Sequence, residues 1–310
     1  MRPVRTIRPS LLAALLVLEL PVLALAQSTP AQSGPFQVPS GLARAESVAA
    51  SAAGAASSAG FWTSWFRRSD QAKREQPHWM TPMATTTPRL EQEFRYDVLW
   101  QQARPGVPYT ENIGNSKGLE LIPLDGLEVI ASVPPYLIHH SASSPDGFGD
   151  VQMLVKYRVR AEDEAHGNYI LTVFFASTFP TGGSNGQTDA VVTPTLAYGK
   201  GYGPFDLQGT LGAGLPTGNE AAIGRTYAWN NTVQYHLGEL WWFELEANAT
   251  WYQDGKNGGK EQTYLTPGLV VGRIPLGSRL KLAVGAAMQF AISQFHTSVH
   301  SPIVSVRLPF

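Results

Sequence analysis

The chain has 310 residues with 23 basic and 24 acidic side chains, and only 15% of it is charged, against about 25% in an average soluble domain. Such a balance gives no electrostatic footprint for nucleic acid. With no cysteine, it has no disulfide framework, thiol nucleophile or Cys-ligated metal. The 30 glycines, 8 tryptophans and 11 tyrosines describe a surface not wholly bathed in water.

The first residues read as a secretory signal over 1–26. Arg2, Arg5 and Arg8 form a positive n-region, Leu11 to Leu18 a short apolar run, and Ala24-Leu25-Ala26 a small-x-small cleavage site. The mature chain is expected to start near Gln27. That apolar run falls well short of the roughly 20 residues of a spanning helix, and no later run reaches that length. Removing the signal moves the balance from 23 basic and 24 acidic residues to 20 and 23, a net charge near −3.

Residues 27–90 differ in composition. Ala, Ser and Gly dominate 41–60, and Pro recurs from Pro77 to Pro88. This reads as a low-complexity periplasmic tail or a plug, largely disordered. Within it, Phe61-Trp62-Thr63-Ser64-Trp65-Phe66-Arg67-Arg68 fits an interfacial amphipathic segment, a lumen plug or a short helix.

From Phe94 the period becomes two. Val151, Met153, Val155, Tyr157 and Val159 alternate with Gln152, Lys156, Arg158 and Arg160, with Leu154 as the exception. Trp241, Phe243, Leu245, Ala247 and Ala249 alternate with Glu244, Glu246, Asn248 and Thr250. Successive strand side chains point to opposite faces, so each run has one apolar and one polar or small face. Strands are predicted at 94–102, 117–124, 127–134, 148–160, 169–180, 189–201, 205–216, 224–238, 240–253, 260–275, 278–293 and 297–310. Several exceed the 5–6 residues usual in soluble proteins and suit a tilted crossing of lipid. Short and long connections largely alternate, with a long 161–168 and a short last loop as departures.

The predicted fold is therefore all-β, an antiparallel transmembrane β-barrel of about twelve strands over residues 91–310. Lipid offers no hydrogen bonds to the backbone, so a spanning sheet must close on itself. Pro194, Pro267 and Pro302 each remove one ladder donor and belong near strand ends or bulges. Twelve strands give a narrow lumen. Its lining candidates are Lys156, Arg158, Glu244, Glu246, Lys281 and Arg307, which pair with one another or set a transverse field on a solute. Val306, Leu308 and Phe310, on one face of a final strand ending in an aromatic residue, resemble the signal read by the outer-membrane barrel assembly machinery.

Three pieces carry a family resemblance. Gly147-Phe148-Gly149-Asp150 leads into a strand; Phe179-Pro180-Thr181-Gly182 ends the next; Leu215-Pro216-Thr217-Gly218 echoes it. Together they resemble the outer-membrane family labelled MetA-pathway of phenol degradation, over roughly 118–310. The resemblance implies a bacterial outer-membrane barrel passing small, hydrophobic or aromatic molecules. It supplies no catalytic residues. Physically, Pro ends the ladder and Thr-Gly opens a loop.

Expected partners are outer-membrane lipids and lipopolysaccharide, the assembly machinery and a small-molecule solute. No cofactor, metal or nucleic acid is expected. The leading function is an outer-membrane channel or transporter, not an enzyme. Two alternatives stand beside it: a structural or adhesion-type barrel with a closed lumen, and a barrel lipid hydrolase. Outer-membrane phospholipases carry a His-x-Ser-Asn-Gly pattern; His139-His140-Ser141 has its spacing but lacks the Asn-Gly, and no third member of a triad is identifiable.

Overall fold

A computed structural model describes residues 60–104 and 106–310. The predicted signal and residues 27–59 lie outside the described residues. A helix, α1, covers 60–74. The strands that follow are β1 (Glu93–Gln101), β2 (Thr110–Gly114), β3 (Gly118–Leu124), β4 (Leu127–Ser132), β5 (Tyr136–Ile138), β6 (Gly147–Phe148), β7 (Val151–Glu162) and β8 (Tyr169–Phe179). They continue with β9 (Val191–Tyr202), β10 (Phe205–Pro216), β11 (Thr226–Leu237), β12 (Trp241–Tyr252), β13 (Glu261–Pro275), β14 (Lys281–Ala291) and β15 (His300–Pro309).

Twelve of these form one antiparallel ring, in the order β1, β3, β4, β7 and then β8 through β15, and β15 pairs back onto β1. Closure runs from Glu93 opposite Pro309 to Leu99 opposite Ile303. The twelve predicted strands are all present. Of the other three, β2 and β5 fall in the two longest predicted loops, and β6 spans the junction of the second with the predicted strand 148–160. They extend the wall beyond β1 in the order β1-β2-β5-β6. The chain thus breaks three strands at one level, between β2 and β3, β4 and β5, and β6 and β7. Asn115 and Ser116 make the first break with φ of 45° and 53°.

Several expected boundaries shift. The predicted strands 278–293 and 297–310 shorten to Lys281–Ala291 and His300–Pro309, so the last loop, 292–299, is not short. Its polar side chains explain this. Tyr264 Oη meets Thr297 and Ser298 Oγ at 3.1 and 3.2 Å, which takes the loop off the ladder.

The three prolines sit within strands rather than at ends or bulges. Each keeps one neighbour and loses the other. Pro194 pairs with Phe175, Pro267 with Leu245 and Pro302 with Met288. On the opposite side the ladder skips Pro194 and Pro267 and resumes in the same register, while at Pro302 it ends at Ile303 with a single bridge, Gln102 to His300, beyond. A missing donor thus costs a local gap and leaves the strand intact.

Alternation divides the wall as expected. Val155, Val173, Leu211, Val233, Leu245, Val284 and Val304 are exposed on the outer face. Tyr202, Phe205 and Trp241 mark one rim of this apolar belt and Phe179, Trp229 and Trp251 the other, the aromatic girdles of a lipid-spanning barrel. The rim with Tyr202 carries the short turns and is called the turn end; the opposite rim is the loop end.

The family-like pieces meet at the loop end. Asp150 accepts the N–H of Gly182 at 2.9 Å and of Gln187 at 2.7 Å, and Thr181 Oγ1 accepts the N–H of Val151. The echo repeats the corner: Thr217 donates to the Ala190 carbonyl, and Gly218 lies against the Asp189 carboxylate. Each Pro-Thr-Gly corner therefore docks on an Asp at the start of a neighbouring strand.

The outer face yields a test. Leu245→Arg, in the middle of β12, is expected to destabilise the barrel in lipid vesicles by about 2–4 kcal/mol, whereas Leu237→Arg at a strand end costs about 0–1. Urea unfolding in vesicles measures both; equal costs would contradict a lipid-facing belt.

Candidate functional site

The inner wall is polar and buried, and what it faces is the chain itself. Residues 76–90 leave α1, enter the barrel from the turn end and return to start β1. The neck of this lumenal loop is held by Gln76, whose amide donates to the Leu90 carbonyl at 2.8 Å and accepts its N–H at 3.0 Å. Ends that close together make it a compact Ω-type loop. Arg89 ties its two limbs by donating to the carbonyls of Pro77 and Trp79.

Two arginines bind the loop from one sector of the wall. Arg95 on β1 and Arg307 on β15 are cross-strand partners, both buried. Like charges directly opposite repel, and buried charges need partners. Arg95 binds Asp97 through a bidentate contact, at 3.0 and 2.7 Å, and donates to the carbonyls of Pro82 (3.0 Å) and Met83 (2.6 Å). Arg307 donates to the carbonyls of Thr81 and Pro82.

Two carboxylates bind the same stretch through its N–H groups. Glu244 accepts from Met83 at 3.0 Å; Glu246 accepts from Ala84 at 2.7 Å and Thr85 at 2.6 Å. The peptide dipoles of residues 81–85 are thus suspended between a guanidinium pair and a carboxylate pair. Gln208 and Thr172 add contacts to Met80, Thr87 and Pro88. Trp79, Met80 and Met83 pack among inward Leu99, Ile170, Trp242, Val270 and Ile303. Room for them comes from wall residues without a Cβ. One at Gly199 would overlap Trp79, and one at Gly285 would overlap the Met83 sulfur.

The sequence-predicted lining residues divide. Lys156, Glu244, Glu246 and Arg307 are buried on the inner face. Lys156 pairs with Glu128 at 2.9 Å on the adjacent strand and donates to the Arg89 carbonyl. Arg158 lies lower, at the β7 bulge, and holds α1 through the Ala72 carbonyl and Glu75. Lys281 is exposed at the turn end. Sequence reasoning missed Arg95, Asp97 and Glu128. Their signal was present: Glu93, Arg95 and Asp97 alternate with Phe94, Tyr96 and Val98. Glu164, between β7 and β8, accepts the backbone N–H of His78 (2.5 Å) and anchors the start of the loop.

Helix α1 lies along the turn-end rim and bridges the β15–β1 closure. Asp70 binds Arg279 of the β13–β14 turn in bidentate fashion at 2.7 and 3.0 Å. Arg68 reaches Asp125 of the β3–β4 turn on the other side of the closure. The hydrogen bond from Arg279 holds the Asp70 carboxyl below its ordinary value, against a smaller opposing push from burial. Trp65 donates to Gln92, while Phe61 and Trp62 stay exposed.

The hydrolase pattern does not assemble. His140 Nε2 meets Glu111 at 2.8 Å, His139 meets Asn185 at 2.9 Å, and Ser141 Oγ meets Ser143 Oγ at 3.0 Å. Neither histidine is bonded to Ser141. Among the described residues no group of three or more His, Asp or Glu side chains stands where it could hold a metal ion.

An outer membrane channel from Pseudomonas putida F1 superposes with a TM-score of 0.53 at 13% identity, over 75% of this chain and 100% of the channel. The fold is that of bacterial outer-membrane β-barrels. Its apolar outer wall is that of a lipid-spanning barrel. The CymD monoaromatic hydrocarbon channel and a porin also match, with TM-scores of 0.35 and 0.33 at 8% and 12% identity. Each covers 71% of this chain, and 87% and 99% respectively of its own. No family model and no curated protein matches the sequence.

Removing the Glu246 carboxylate is expected to free the loop apex. The chain has no cysteine, so Thr85→Cys supplies a single thiol at a buried position. Hydrogen bonds to charged groups are worth about 1.5–3 kcal/mol each. Adding Glu246→Ala should therefore raise the maleimide labelling rate of that thiol by at least about tenfold. An unchanged rate would show that the carboxylate does not hold the loop.

Proposed function

We propose that this chain is an outer-membrane channel for small solutes, hydrophobic or aromatic compounds among them, and that its lumenal loop is the gate. The observation that carries the reading is the suspension of residues 81–85 between Arg95 and Arg307 on one side and Glu244 and Glu246 on the other. A barrel built only as a scaffold has no need to fill its interior with a separable segment, since inward side chains of its own wall would do so. Here the wall offers donors and acceptors, and the chain's own backbone occupies them. Withdrawal of the loop leaves a polar path lined by Lys156, Glu244, Glu246 and Arg307, with inward Ile170, Trp242 and Val270 as its apolar side.

The resemblance to the phenol-degradation family supports the hydrophobic or aromatic solute class, and the paired Asp150 and Gly182 corner is where its motifs act together. In the same reading, lipids and lipopolysaccharide surround the apolar wall. The assembly machinery reads Val306, Leu308 and Phe310; Val306 is exposed on the outer face, and the Phe310 N–H donates to the Gln92 carbonyl. The role is passage, not catalysis.

Planar-bilayer recording compares the mature chain with one lacking residues 27–90. Larger or more frequent conductance steps in the truncated form are expected. A second variant, Glu244→Gln with Glu246→Gln, keeps the whole chain and should move conductance the same way. Reproducible insertion without current in every form would leave the structural barrel with a closed lumen.

A further inference from the structure

A cavity of about 450 Å³ opens at the turn end, between α1, the lumenal loop and the ends of β13, β14 and β15. That volume is within the roughly 300–1,000 Å³ of small-molecule sites. Six basic and three acidic side chains line it. Two of the acids are already matched, Asp70 by Arg279 and Glu91 by Arg89 at 2.8 Å. Arg273 spends its guanidinium on the carbonyls of His78 and Trp79, which are neutral acceptors. Arg74 and Lys281 make no hydrogen bond or ion pair among the described residues. Lys73 donates to a main-chain oxygen of Phe310 at 2.9 Å; burial lowers its pKa, and Glu91, Glu93 and Asp70 push the other way.

The remaining wall is apolar. Met80, Ala283 and Phe310 line the cavity as well. A ligand suited to this chamber has a negative head and an apolar body. The head would lie between Arg74 and Lys281, with Arg273 behind them, where cation donors give charge-assisted hydrogen bonds to a carboxylate. The body would rest on Met80 and Phe310.

We propose that the turn-end vestibule is a binding site for a small organic carboxylate with an apolar body. It sits below the lumenal loop, on the side from which that loop enters. Binding there needs no movement of the loop, so the site stands or falls independently of conduction.

Isothermal titration of the full chain in detergent micelles tests this with benzoate and its neutral isostere benzamide. Benzoate is expected to bind saturably and benzamide at least about tenfold more weakly, a difference of about 1.4 kcal/mol. Arg74→Gln with Lys281→Gln should weaken benzoate by a similar factor, and Lys281→Arg should retain it. Raised salt should weaken benzoate alone, because the vestibule is open to solvent. Circular dichroism confirms that each variant retains its β-barrel. Equal binding of benzamide, unchanged benzoate affinity in the double variant, or no saturable binding at millimolar benzoate would each overturn the proposal.

Discussion

Arg95 and Arg307 face each other across the pair of strands that closes the ring, and both guanidinium groups are buried. Closure is obligatory in lipid, because an open edge would leave a row of backbone groups unpaired. Closing here places two like charges side by side in the interior. Asp97 meets part of that charge, and the carbonyls of Thr81, Pro82 and Met83 meet more of it. The lumenal loop is thus part of the electrostatic solution to closing the barrel. Helix α1 acts on the same closure from outside, through Arg279 on one side and Asp125 on the other.

The loop is held by polar contacts over its apex and by apolar packing nearer the turn end, where Trp79, Met80 and Met83 gather. Apolar burial is non-directional and tolerates sliding, whereas the donor and acceptor positions on Arg95, Arg307, Glu244 and Glu246 fix the loop in one register. Removing it leaves four buried charges with fewer partners, a costly state unless water or a solute replaces the lost contacts. A gate of this kind has its binding partner built into the wall. What displaces the loop must offer both donors and acceptors, or admit water that does.

Much of the fold was legible in the sequence. Alternation at period two located every strand of the ring, because a lipid-facing wall forces apolar side chains onto one face. The same alternation placed Lys156, Glu244, Glu246 and Arg307 inward. It failed where chemistry departs from the pattern. Pro267 was expected near a strand end or bulge, but it sits in the middle of β13, where the ladder tolerates a gap on one side. Residues 103–116 and 135–147 looked like loops because β2 and β5 are short and breaks at 115–117 and 133–135 separate them from β3 and β4. The lumenal loop was legible only as a tail or plug. Its contacts are long-range, backbone to side chain, and backbone donors leave no mark on composition. Arg95 was within reach of the parity argument and was missed; the strand pairing that sets it beside Arg307, itself placed inward, is a long-range contact.

The most direct test is to lock the loop in place. The Met83 side chain reaches Gly285, where a Cβ would overlap its sulfur, so Met83→Cys with Gly285→Cys, in a chain that has no cysteine of its own, sets two thiols on facing segments that a short bifunctional maleimide with an internal disulfide can bridge. Single-channel recording before and after reduction then compares a fixed loop with a free one in the same molecules. The account predicts silence or a low-conductance state when the bridge is intact, and larger steps on adding a reducing agent. Equal conductance in both states would contradict the claim that this loop closes the channel.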